Sequence, residues 1–235
     1  MPVEEINYFA HLDELRNRII VILLVLVVLT GVSFFLSEPL VEIVTRPIRQ
    51  NVGELYFLSP YEALLVRLRV AFASGLVLSA PLVFALLWTF VSPGLYVKER
   101  KVIFPLSLAS ILLFFSGVLA AHFFVIPFTL KFFLAFQTGT LRPLISVGAY
   151  LSLYLSLILI FGGISVTPVI LIGLMKLGIV NPEMLSRQRK MVILLAFILG
   201  AVLTPTMDMV TQCLVALPLW MFFEISIILG RWICK

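Results

Sequence analysis

Charge is what this sequence has least of. Only 12% of its 235 residues are Asp, Glu, Lys or Arg and 62% are hydrophobic, where an ordinary soluble domain has roughly a quarter charged and about half apolar. That balance excludes a water-soluble globule. Cysteine is scarce as well. Cys213 stands alone in an apolar run and Cys234 sits in the tail, so neither a disulfide framework nor a thiolate metal site is expected. The two histidines, His11 and His122, are isolated from other ligand types, and no metal or other cofactor is expected. Catalytic patterns are missing too: there is no G-x-x-x-x-G-K-[ST], no H-E-x-x-H and no G-x-S-x-G. An enzyme is therefore not expected, and any work done is not fuelled by this chain's own nucleotide hydrolysis. The net charge of +5 would elsewhere raise nucleic acid as a partner. Here the basic residues fall in short stretches between apolar runs, where membrane topology accounts for them.

What is present is a series of apolar runs. Six candidate spans fall at about 19–36, 70–91, 102–125, 150–175, 191–203 and 209–229, and an apolar run of about 18 or more residues can cross a hydrocarbon core about 30 Å thick as a helix. The expected fold is an all-α integral membrane protein of six transmembrane helices forming a single domain over 1–235. The first run follows a segment with Glu4, Glu5, Asp13 and Glu14 and has no A-x-A-like exit, so it is expected to remain as an anchor. Eleven lysines and arginines lie in 1–18, 92–101, 176–190 and the tail, and six lie in 37–69 and 126–149. The positive-inside rule then puts both termini in the cytoplasm. Segment 37–69, with Pro39, Pro47 and Pro60, is expected to form an ordered extracytoplasmic cap containing short amphipathic helices.

Proline falls in or near several spans (Pro81, Pro105, Pro127, Pro168, Pro218). Each removes a backbone donor and bends its helix, so a kinked and curved bundle is expected. The fifth span is confined between Lys190 and Asp208, with 17 residues between them, or roughly 26 Å of helix. The last two helices are thus expected to form a short hairpin beside which the bilayer thins.

Acidic residues are few enough to be informative, since none occurs between Glu99 and Glu183. Glu14, in H-L-D-E-L-R-N-R at 11–18, and Glu99, in L-Y-V-K-E-R-K at 95–101, are expected at the same side of the membrane. They either balance the neighbouring Arg16, Arg18, Arg100 and Lys101 or form an acidic site for a cationic partner, because carboxylates accept paired hydrogen bonds from guanidinium groups. Asp208 and Glu224 bracket the last span. Glu224 is expected to face other helices or the headgroups, and Gln212, one turn beyond Asp208, to bond a neighbouring or partner helix.

Taken in order, H-L-D-E-L-R-N-R at 11–18, L-S-P-Y-E at 58–62, F-V-S-P-G-L-Y-V-K-E-R-K at 90–101, the Pro127 region, F-G-G-I-S-V-T-P at 161–168, and L-T-P-T-M-D-M-V-T-Q with A-L-P-L-W-M-F-F-E-I at 203–225 resemble the TatC family. This family is the multispanning receptor subunit of the twin-arginine protein translocase. The resemblance covers nearly the whole chain. It implies a receptor in the cytoplasmic (inner) membrane for folded cargo whose signal peptides carry consecutive arginines. Glu14 and Glu99 would recognise those arginines, with Arg16, Phe90, Lys98 and Arg100 shaping the site. It implies partner contacts by the last two helices with Gln212, Asp208 and Glu224, the partners being single-span TatA and TatB subunits, further copies of the chain itself and membrane lipid. Transport would be driven by the proton-motive force. The chain departs from the family pattern in having Val166 where an intramembrane glutamate is usual, His122 at a usually phenolic position, and Met207 lengthening the turn before Asp208. Two readings from other classes stand beside it, a secondary transporter of a small ion or solute and an intramembrane protease. No span carries a central charged pair for the former, and no paired aspartates or Ser/His arrangement for the latter.

Overall fold

The computed structural model describes residues 8–52, 55–91, 103–137, 144–206 and 208–233. Nearly all of these are helical: α1 (Tyr8–Phe35), α2 (Ser37–Val52), α3 (Glu62–Val91), α4 (Ile103–Ala120), a π-helical turn (Ala121–Val125), α5 (Ile126–Leu134), α6 (Val147–Ser165), α7 (Thr167–Lys176), α8 (Pro182–Arg187), α9 (Arg189–Leu203) and α10 (Met209–Ile233). Among the described residues, five helical stretches are long and apolar enough to cross a membrane: 13–35, 62–90, 103–134, 147–176 and 209–232. The fifth apolar run is α9, whose 15 residues reach about 22 Å. The second long helix starts at Glu62 and not near residue 70, so Arg67 and Arg69 lie one to two turns inside it.

Side-chain pairings fix how the helices run. Thr30 meets Gly75 while Arg18 reaches Leu86, so α1 and α3 are antiparallel. Glu62 bonds Gly148 and Arg69 bonds Ser152, so α3 and α6 run in parallel. Trp88 donates to Ser110 and Phe84 stacks on Phe114, which sets α4 against α3. His122 meets Tyr154 and Gly162 meets Phe114, which sets α6 against the long α4–α5 helix. Arg189 with Glu224, and Gly200 with Gln212, make α9 and α10 antiparallel. The start of α1 and the end of α10 therefore lie at one end of the bundle, here the terminal end. The opposite, cap end carries α2 and the start of α6.

Burial ranks the helices. Over its apolar window α6–α7 is 61% buried whereas α1 is 6% buried, so α6 is the axis and α1 an outer helix held by α3. Leu151 and Leu157 of α6 are fully enclosed, and Tyr150, Tyr154, Ile158 and Phe161 complete a core with Val66 and Val70 of α3 and Val44 and Ile48 of α2. Helix α2 earns its place by period: Leu40, Val44 and Ile48 recur every fourth residue and face this core, while Glu38, Glu42, Arg46 and Arg49 face out.

The kinks have local causes. Pro127 cannot donate to the carbonyl four residues back, and the turn just before it widens into the π-helical stretch Ala121–Val125. Pro168 breaks the fourth long helix in the same way, and Val166 becomes the junction between α6 and α7. Val166 itself is buried with Ala80 and Phe114, so an apolar contact fills the place where the family resemblance leads one to expect a carboxylate. At the far end of α7, Gly178 takes φ +69°. Its N–H and that of Ile179 bond Met175 and Leu174, a left-handed C-terminal cap that glycine adopts without steric cost.

Helix α1 lies close on α3 where α3 turns Gly75 toward it. Any side chain at Gly75 would collide with the backbone and hydroxyl of Thr30. Gly75→Leu is expected to cost about 2 kcal/mol by overpacking, read as a lower melting temperature in detergent. An unchanged melt would show that α1 is not seated at this position.

Candidate functional site

At the terminal end, Arg18 of α1 is the point on which Glu14, Leu86 and Phe90 converge. Glu14 is one turn earlier on α1, so the two side chains share a face, and Arg18 Nη2 donates to Glu14 Oε1 in an ion pair. Its other terminal nitrogen, Nη1, donates to the Leu86 carbonyl oxygen at 2.7 Å. The guanidinium carbon lies 5.7 Å from the centre of the Phe90 ring, within cation–π range. The Arg18 side chain is only 16% exposed and that of Glu14 is 38% exposed. A carboxylate, an aromatic face and a backbone acceptor thus surround one guanidinium group.

The sequence-predicted residues divide around this centre. Glu14 and Phe90 are brought together, with Arg18 between them. Arg16 is not part of the cluster: it lies on another face of α1, pairs with Asp13 at 3.5 Å and is largely exposed. Lys98, Glu99 and Arg100 lie outside the described residues, as does the side chain of His11. Arg18 was legible only as a charge balancing Glu14. Its role as the link from α1 to α3 depends on the antiparallel contact with Leu86 and Phe90, which no local pattern encodes.

A second charged contact lies on the α9–α10 hairpin. Arg189 Nη2 donates to Glu224 Oε2 at 2.9 Å, so Glu224, four-fifths buried, faces a neighbouring helix with a counter-charge. Gln212 Nε2 donates to the Phe197 carbonyl oxygen at 2.9 Å. Here α9 and α10 approach closely at Gly200, and the amide is spent at least partly on holding the hairpin. Asp208 is the N-cap of α10: its Oδ1 accepts from the Thr211 amide at 2.8 Å and its Oδ2 from the Thr211 hydroxyl at 2.6 Å.

Two polar groupings were not singled out in advance. Glu62, in the first turn of α3, accepts from the backbone N–H groups of Leu58 (2.6 Å), Ser59 (3.3 Å) and Gly148 (2.7 Å) and from the Ser146 hydroxyl (3.0 Å). One carboxylate therefore ties the starts of α3 and α6 together, beside a short bridge in which Tyr56 and Ser146 pair their backbones. The acid of L-S-P-Y-E was visible in sequence, but two of its partners, Ser146 and Gly148, lie more than eighty residues away. In the second grouping, His122 Nδ1 and the Tyr154 hydroxyl lie 2.6 Å apart, and Tyr150 donates to the Val44 carbonyl oxygen at 2.7 Å. His122, far from other metal-ligand types in the sequence, joins the π turn to α6 as a packing residue. Among the described residues no group of three or more His, Cys, Asp or Glu is arranged to hold a metal ion.

A bundle of long apolar helices, with charge confined to its two ends and a guanidinium–carboxylate centre at one of them, defines a multi-pass helical membrane protein. The family model for the Sec-independent protein translocase protein TatC matches residues 10–218, and the chain belongs to that family. It is 38% identical over 235 residues to the TatC protein of Aquifex aeolicus, covering 98% of this chain and 95% of that one. To the TatCy protein of Bacillus subtilis it is 33% identical over 232 residues, covering 98% and 91%. A crystal structure of the twin-arginine translocase receptor TatC matches the fold with a TM-score of 0.87 at 37% identity, over 96% of this chain and 100% of that one. A second structure of that receptor, in DDM, gives 0.86 at 38% identity. Family membership makes the chain a component of protein transport and not a catalytic enzyme.

The capping contacts at Asp208 carry a pH dependence. Burial works to raise this carboxyl, but the hydroxyl and amide of Thr211, with Thr206 and Val210, outweigh it and hold the group below its ordinary value of 3.8. A depressed folded-state value stabilises the fold above the unfolded value and is lost as pH falls through the folded one. Lowering the pH from 6 to below 3 should therefore lower the melting temperature of the wild type more than that of Asp208→Asn. Equal losses would show that the cap does not couple folding to protonation.

Proposed function

We propose that this chain is the receptor for twin-arginine signal peptides and the core subunit of a translocase that exports folded proteins across the cytoplasmic (inner) membrane. The observation that carries the reading is the Glu14–Arg18–Phe90 centre. There the Glu14 carboxylate accepts from the Arg18 guanidinium, with the Phe90 ring beside that guanidinium, which supports a site for arginine. In the proposal Glu14 and Glu99 each receive an arginine of the signal peptide, with Lys98 and Arg100 bordering the site and Arg16 outside the cluster, on its own face of α1. Guanidinium is preferred over ammonium because its planar fork donates two parallel hydrogen bonds to a carboxylate and stacks on an aromatic ring.

The terminal end is the cytoplasmic one in this reading, with α9 completing a sixth crossing and both termini inside, as the distribution of lysine and arginine supports. A helix of about 22 Å is shorter than a hydrocarbon core of about 30 Å, so the bilayer thins beside the α9–α10 hairpin. That hairpin, with Gln212, Asp208 and Glu224, is the contact surface for TatA- and TatB-type single-span subunits. Further copies of the chain complete the assembly, and the proton-motive force drives transport.

The test is binding of a twin-arginine signal peptide and its Lys-Lys counterpart to the solubilised protein. The arginine peptide is expected to bind selectively, and Glu14→Ala and Glu99→Ala are each expected to weaken it about tenfold or more, as loss of a charge-assisted bond implies. Export of twin-arginine cargo should fall far more than the amount of protein in the membrane. Equal binding of both peptides by a folded protein, or export that falls only in step with protein level, would overturn the reading.

A further inference from the structure

Arg18 makes, from within the chain, the contacts that an arriving arginine would need. It pairs with the Glu14 carboxylate, lies over the Phe90 ring at 5.7 Å and gives a hydrogen bond of 2.7 Å to the Leu86 carbonyl oxygen. Its side chain is far more enclosed than that of Arg16, two residues away, at 16% against 67% exposure. A long, flexible side chain held in this way gives up much of its rotamer freedom, and three separate acceptors converge on it. They form a cradle matched to guanidinium chemistry: one anion, one π face and one carbonyl.

We propose that Arg18 is the internal occupant of a guanidinium subsite, which a signal-peptide arginine enters by displacing it from Glu14. The inference rests on the receptor reading above and adds a residue to it that sets affinity. Displacement exchanges one guanidinium for another at the same carboxylate, so Glu14 is never left as an uncompensated charge in a low-dielectric setting. A lysine in the peptide cannot make the exchange on equal terms. Its compact ammonium lacks the planar fork and is more strongly hydrated, so it competes poorly with a guanidinium already in place. The resident arginine thus lowers the apparent affinity of every ligand by the same factor, so that a lysine peptide, the weaker binder, is the first to lose occupancy.

The measurement is peptide binding to the full chain in detergent or nanodiscs, with the twin-arginine peptide and its Lys-Lys counterpart as probes. Arg18→Gln removes the competitor and is expected to bind the arginine peptide about two- to fivefold more tightly than wild type, the range set by an i,i+4 pair of modest strength. The Lys-Lys peptide should gain by the same factor, so that selectivity is unchanged, because both peptides compete with the same internal occupant. In a Glu14→Gln background the gain from Arg18→Gln should vanish, because no carboxylate remains for the two arginines to share. Arg18→Lys, which keeps the charge but loses the fork, should give a smaller gain, and it carries the test if Arg18→Gln does not fold. Weaker or unchanged binding in a folded Arg18 variant would overturn the inference and make Arg18 a support for Glu14. Absence of arginine selectivity in the wild type would instead overturn the receptor reading itself, so the two failures are distinguishable.

Discussion

The carboxylate of Glu62 joins the starts of α3 and α6, and the placement of the other long helices follows from that junction. In hydrocarbon, backbone groups must find partners within the protein, and helix N-termini are where donors are left over. Glu62 gathers donors from two such places, the turn before α3 and the first turn of α6, and its negative charge suits the positive ends of both helix dipoles. With α3 and α6 set side by side and parallel, the α4–α5 helix runs antiparallel to both. Helix α1 packs mainly on the outer face of α3, where Gly75 lets it come close. The same alignment carries the far end of α3, with Leu86 and Phe90, to the level of Arg18.

The helices were legible in the sequence because they are written in long apolar runs, which composition alone exposes. Their ends were less so. The second run begins at Glu62 and not near residue 70, because Glu62 and the paired backbones of Tyr56 and Ser146 extend the helix past Arg67 and Arg69, where apolar counting stops. Of the five prolines expected to bend their helices, two mark breaks, since Pro127 follows a π turn and Pro168 a full break, whereas Pro81 and Pro218 lie inside helices that run unbroken.

The candidate site was only half legible. Glu14 and Phe90 stood out through scarcity of acid and through resemblance, but Arg18 was one basic residue among several. A local pattern pairs Glu14 with Arg18 four residues on; nothing local says that Leu86 and Phe90 close over that pair. Arg16 illustrates the converse. It is as near to Glu14 in sequence, yet helical geometry turns it toward Asp13, on the other side of α1. Gln212 and Glu224, both expected to face other helices, have partners on α9 that sequence spacing could not supply.

The four carboxylates that frame the bundle divide by what holds them. At the cap end, Glu62 and Asp208 accept from amides and hydroxyls of the fold itself. Such donors are fixed to helix starts and cannot leave without unwinding them, so these carboxylates act as fasteners. At the terminal end, Glu14 and Glu224 are held by arginine side chains, Arg18 and Arg189. A side-chain guanidinium can swing away, and another can take its place with no change in net charge and little change in hydrogen bonding. Where the partner is a helix start, the carboxylate is part of the structure. Where it is a guanidinium, the carboxylate can be shared with a second molecule while the helices beneath it stay folded.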